Sequence, residues 1–98
     1  MTINETKNSS TLTLALVGRL DTNTAPQLEK KIADLAEDVK ELIIDLQELE
    51  YISSAGLRVL LAAHKKMNTV GSMRVVNVGG EVMEVFEMTG FNVLLNIG

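Results

Sequence analysis

The 98-residue chain contains no cysteine. That excludes disulfide staples, thiolate metal sites and cysteine nucleophiles together. It contains one histidine, His64, so neither a multi-histidine metal site nor a histidine pair can form within one chain. Its aromatics are Tyr51, Phe86 and Phe91 alone, too few for a platform that stacks bases. Basic residues are in the minority. Nine Lys and Arg against 13 Asp and Glu leave a formal charge of −4, which argues against a clustered basic face for nucleic acid. No signal peptide pattern opens the chain, and no apolar run approaches a membrane span. A cytoplasmic chain with neither a membrane nor a nucleic-acid partner is the expectation. Asn4-Glu5-Thr6 and Asn8-Ser9-Ser10 match the glycosylation pattern, but without export they read as polar turn sequence.

What remains is an ordinary globular balance, 46% hydrophobic and 22% charged. Residues 1–98 suffice for a single domain with one core, held by that core alone. Leu12, Leu14 and Leu16 alternate with Thr11, Thr13 and Ala15, the pattern of a half-buried strand. Thr2 to Lys7 is its expected hairpin partner across the Asn8-Ser9-Ser10 turn. After the polar loop Asp21-Thr22-Asn23-Thr24, the spacing predicts a helix. Thr24 and Gln27 fit a capping box, Pro26 is tolerated in the first turn, and Leu28, Ile32, Leu35 and Val39 form one apolar stripe.

Leu42 to Leu46 reads as a central parallel strand covered on both faces, with Gln47 to Glu50 leading out of it. Tyr51 to Gly56 then opens a second helix, running from Leu57 to about Met67, with Ser53 and Ser54 where an N-cap is needed. A strand over Met73 to Val78, a short helix over Glu81 to Met88 closed by Gly90, and a last strand over Phe91 to Ile97 complete the chain. The order β-β-α-β-α-β-α-β implies an α/β domain: a mixed, mainly parallel sheet with helices packed on it and an antiparallel opening hairpin.

Catalytic equipment is sparse. There is no Gly-x-Gly-x-x-Gly fingerprint and no Walker-type phosphate loop. Ser54 lacks a nucleophile-elbow setting, and ten helical residues place His64 roughly 15 Å from it along the axis. His64 reads as a surface residue beside Lys65 and Lys66 near a helix C-terminus. Glu48 and Glu50 read as a solvated loop pair. No enzyme, cofactor or metal is expected. The serine pair admits two readings. In one, Ser53 or Ser54 is an N-cap and nothing more. In the other, a phosphoserine would bring a charge of about −1.5 to −2 to the start of a helix. The helix that follows carries Leu57, Leu60 and Leu61 as a core-facing patch, widened by Val59, Ala62, Ala63 and Met67. Arg58, Lys65 and Met67 are open between plain surface and partner contact.

The segment Leu46-x-x-Leu49-x-Tyr51-Ile52-Ser53-Ser54-Ala55-Gly56-Leu57-x-x-Leu60 resembles the signature of STAS domains, and within them the bacterial anti-sigma factor antagonists. Val17-Gly18-Arg19-Leu20-Asp21 and Gly90-Phe91 resemble two further family segments, so the resemblance covers essentially the whole chain. It implies a partner switch regulating transcription. The unmodified antagonist binds an anti-sigma factor that is also a serine kinase, the kinase phosphorylates the signature serine, the complex dissociates, and a phosphoserine phosphatase resets the cycle. Aligned on this chain, Ser54 is the implied phosphorylation site and Ser53, standing where many members have aspartate, the second choice. The implied partner-binding surface is Asp21, Thr22, Asn23, Ser53, Ser54, Ala55, Gly56 and Arg58. A monomer is the simplest expectation. A STAS scaffold or sensor subunit outside any sigma pathway is the alternative.

Overall fold

The computed structural model describes all residues from Met1 to Gly98. The elements are β1 (Thr2–Asn8), β2 (Thr11–Leu20), α1 (Ala25–Ala33), β3 (Glu41–Ile52), α2 (Ser54–Asn68), β4 (Ser72–Val76), α3 (Gly80–Thr89) and α4 (Phe91–Leu94). The four strands form one sheet in the order β1-β2-β3-β4. The β1–β2 hairpin is antiparallel, and β2–β3 and β3–β4 are parallel. Ser9, in the two-residue hairpin turn, takes φ +58°. The expected α/β architecture, mainly parallel with an antiparallel edge, is therefore the observed one.

The alternation read in β2 sets the layers. Leu12, Leu14 and Leu16 are buried, and register places Leu12 beside Leu42 and Met73, and Leu14 beside Ile44 and Val75. One apolar cluster joins these rows to Leu28 and Ile32 of α1, to Leu57, Leu60, Ala63 and Met67 of α2, and to Val82 and Phe86 of α3. The strand residues between them, Thr13, Ala15, Ile43 and Asp45, are only partly buried. The expectation that β3 is covered on both faces is corrected: one face carries the core and the other stays partly open. The two covering helices are tied together where the Lys66 ammonium donates to the Ile32 carbonyl oxygen at 2.7 Å.

Several boundaries also differ from the sequence reading. The first helix stops at Ala33, and Val39 reaches the core from the loop that follows. Gln47 to Ile52 is not a lead-in to a helix but the second half of β3, so Glu48 and Glu50 are strand residues. The β2–β3 register slips twice, between Ala15 and Val17 and between Gly18 and Arg19. These bulges insert extra β3 residues, so Leu46, Leu49 and Ile52 face inward at intervals of three. A three-residue period does not read as a strand. The α2 helix begins at Ser54, earlier than Leu57. Finally, Phe91 to Ile97 is not a strand. Gly90 closes α3 in the left-handed region, as expected, at φ +79°. The chain then makes the single turn α4 and meets β4 only at an isolated bridge from Ile97 to Val75. Val93, the first position of the presumed alternation, is 82% exposed.

Candidate functional site

The bulged end of β3 brings two segments together that are far apart in sequence. Leu20 ends β2 opposite Ile52, and the Ser53 N–H donates to the Leu20 carbonyl oxygen at 2.9 Å. The chain leaves β2 through the Asp21 turn and leaves β3 directly into α2. The first turns of α1 and α2 thus stand beside each other at the carboxyl ends of parallel strands, where open α/β sheets place their sites.

At the α2 start, Ser53 has extended backbone geometry (φ −100°, ψ 173°) and its hydroxyl accepts a long hydrogen bond, 3.4 Å, from the Gly56 N–H. Ser53 is therefore the N-cap. Ser54 is the first helical residue, exposed, and its hydroxyl makes no hydrogen bond. Gly56 is buried because the helix start lies directly on the strands. A Cβ there would stand 2.7 Å from Leu20 Cγ and 3.0 Å from Ile52 Cγ1. Among the expected contact residues, Gly56 is thus a packing residue. Ala55 is half-buried and Arg58 is exposed.

At the α1 start, the expected Thr24–Gln27 capping box does not form. Thr24 is helical in its backbone and makes no side-chain cap. Its hydroxyl instead donates to the Arg19 carbonyl oxygen at 2.8 Å and accepts from the Asp21 N–H at 2.9 Å. Asp21 takes over the cap: its Oδ1 accepts from the N–H groups of Asn23 and Thr24 at 3.0 and 3.1 Å. Gln27 reaches the Met1 carbonyl oxygen instead, at 3.1 Å. An aspartate side chain closing its own turn outcompeted the capping box. Partial burial alone would raise the Asp21 pKa. The Thr24 and Asn23 N–H groups, the Thr24 hydroxyl and the charge of Arg19 outweigh it and hold the carboxyl below its ordinary value.

Two residues of the site escaped the sequence reading. The Arg19 guanidinium stacks on the Tyr51 ring, 4.3 Å from its centroid, with its Nε 3.9 Å from Asp21 Oδ2. Arg19 and Tyr51 are register partners only because of the second bulge, which the sequence does not display. A shallow groove of about 400 Å³ separates the two helix starts, lined by Thr22, Pro26, Glu29, Ala55, Arg58 and Ala62 among others. No carboxylate pairs with Arg58. His64 lies outside this site, on the far half of α2. It is more enclosed than expected, with Nδ1 buried and unpartnered and Nε2 3.3 Å from the Asn68 amide nitrogen.

The STAS domain family matches residues 2–98, and the chain belongs to it. Within that family, relatives bear the name anti-sigma factor antagonist. The chain is 28% identical over 92 residues to the anti-sigma-B factor antagonist of Bacillus subtilis, covering 93% of this chain and 84% of that one. It is 38% identical over 82 residues to BtrV of Bordetella bronchiseptica, provisionally named an anti-sigma factor antagonist, covering 82% and 71% of the two chains. An anti-sigma factor antagonist from Mycobacterium paratuberculosis has the same fold, with a TM-score of 0.87 at 27% identity over 98% of this chain and 83% of that one. The Bacillus cell fate determinant SpoIIAA in its phosphorylated form shares the fold with a TM-score of 0.76 at 20% identity, over 99% of this chain and 91% of that one. No helix is long and apolar enough to cross a membrane.

Proposed function

We propose that this chain is an anti-sigma factor antagonist that binds an anti-sigma factor through the surface around the α2 start and is switched by phosphorylation of Ser54. The observation that carries the reading is the free, exposed hydroxyl of Ser54 at the first position of α2, beside the Asp21 turn. The names of the relatives supply the partner class. The proposed binding face takes in Asp21, Thr22, Asn23, Ser53, Ala55 and Arg58 together with Ser54, over the packing supplied by Gly56.

In the proposed step the Ser54 Oγ attacks the γ-phosphorus of ATP in the kinase domain of the anti-sigma factor. The new O–P bond forms, the bond to the bridging oxygen of the departing ADP breaks, and the hydroxyl proton passes to a base of the kinase. Hydrolysis of that ester by a phosphoserine phosphatase restores the hydroxyl. No refolding is required. A charge left without its partner in an interface costs about 2–5 kcal/mol. At about 1.4 kcal/mol per tenfold, that weakens binding roughly thirtyfold to a few thousandfold.

The test is intact mass after incubation with the anti-sigma factor kinase of the same genome and ATP. One phosphate is expected on the wild type and on Ser53→Ala, and none on Ser54→Ala. Labelling of Ser54→Ala would move the site to Ser53. No labelling of the wild type, with no complex formed, would leave the scaffold reading.

A further inference from the structure

We infer that Arg58 is the intramolecular receptor for a phosphate on Ser54, so that modification both adds a negative charge to the face and withdraws its free cation. The inference rests on Ser54 being the modified residue.

Three observations carry it. Ser54 and Arg58 stand four residues apart on one helix of 15 residues, so they share a face. Every Cα–Cβ bond of a helix tilts toward its N-terminus, so a long side chain at position 58 reaches back over position 54. The order is also the favourable one, with the acid N-terminal to the base. Second, both residues are exposed, and Arg58 has no ion pair in the unmodified protein. A guanidinium is thus in reserve where the phosphate would appear, and its planar fork matches a phosphate in two parallel hydrogen bonds. Third, the other charged groups of the site are already committed or carry the wrong sign. Arg19 is stacked on Tyr51 and faces Asp21. Asp21 holds its own turn. Glu29 of α1 lines the groove opposite Arg58 and can only repel a phosphate.

In the unmodified protein Arg58 rises from a floor of small apolar residues, Ala55, Val59 and Ala62, as a cation open to an acidic partner. In the modified protein the phosphate, with up to two charges, engages it. Partner release then has two sources, repulsion from the phosphate and loss of the arginine contact.

The experiment needs no kinase. Phosphoserine is installed at position 54 during translation, and the phosphate is titrated by ³¹P NMR in the wild type and in Arg58→Gln, Arg58→Lys and Lys65→Gln. Because the kinase is bypassed, failure here is distinct from failure of the labelling test. The expected result is a second phosphate pKa about 0.3 unit higher in Arg58→Gln than in the wild type. Arg58→Lys should recover part of the difference, Lys65→Gln should match the wild type, and 1 M salt should shrink the difference. Superimposed curves for the wild type and Arg58→Gln would overturn the inference. So would equal shifts for Arg58→Gln and Arg58→Lys, since the effect would then not follow the charge.

Discussion

The starts of α1 and α2 line the same groove and draw on the same residue types, yet they use their hydroxyls in opposite ways. At α1 the Thr24 hydroxyl is engaged twice, as donor to Arg19 and acceptor from Asp21, inside a turn closed by a carboxylate. At α2 the Ser53 hydroxyl holds one long bond, and the Ser54 hydroxyl holds none. The difference comes from how each strand ends. β2 must turn before its helix begins, so its polar side chains are consumed in satisfying the turn. β3 delivers the chain straight into α2, with the Ser53 N–H already bonded to the neighbouring strand, so one serine caps and the next is left over. A hydroxyl can serve as a switch only where the backbone does not need it.

The strongest way to break this comparison is to lift α2 off the strands. Gly56→Val places side-chain atoms where Leu20 and Ile52 already stand. Overpacking of this kind costs about 1–3 kcal/mol, and each kcal/mol lowers the melting temperature of a domain this size by roughly 4–8 °C. A thermal melt measures it. An unchanged midpoint would show that the helix start can shift outward, and the direct delivery of Ser54 from β3 would no longer account for its freedom.

Next in size are the polar bonds. Thr24→Val removes both hydroxyl bonds of the α1 start and is expected to cost about 1 kcal/mol, whereas Ser53→Ala loses one long bond and should cost about half as much. pH separates the two starts further. The Asp21 pKa lies below its unfolded value, so its contribution is complete above about pH 4 and fades as pH falls through the folded value. Asp21→Asn should therefore differ from the wild type more at pH 7 than near pH 3. The α2 start has no carboxylate in its first turn, so the loss in Ser53→Ala should not depend on pH. Melts of both variants at the two pH values decide this, and an acid-sensitive Ser53→Ala would erase the distinction.

The same contrast explains what the residues disclosed in advance. The β1–β2 hairpin, the buried rows of β2 and the serine start of α2 follow from local periods and caps, and they were readable. Thr24 and Gln27 had the right spacing for a capping box but lost to Asp21, because an Asx turn three residues upstream takes the Thr24 N–H and engages the Thr24 hydroxyl. The second half of β3 was hidden by its bulges, which changed the period of burial from two to three. The same bulges concealed the Arg19–Tyr51 stack, a contact between strands with no local sign. The final segment misled in the other direction. Val93, Leu95 and Ile97 alternate, yet after the left-handed Gly90 the chain coils once, so only Leu95 is buried.

The smallest expected effect is also the most discriminating. Ser54 is exposed, its side chain bonds to nothing, and it occupies the first helical position. Alanine there removes no partner and is at least as good a helix former, so the stability of Ser54→Ala should lie within about 0.5 kcal/mol of the wild type. Thr24→Val and Ser53→Ala should both fall below it in a melt run side by side. The same variant is the one expected to lose all phosphate labelling. A residue that matters to the kinase and not to the fold is what a switch on a fixed scaffold requires. If Ser54→Ala instead melted as early as Thr24→Val, the hydroxyl would belong to the architecture of the helix start, and the two starts would no longer differ in kind.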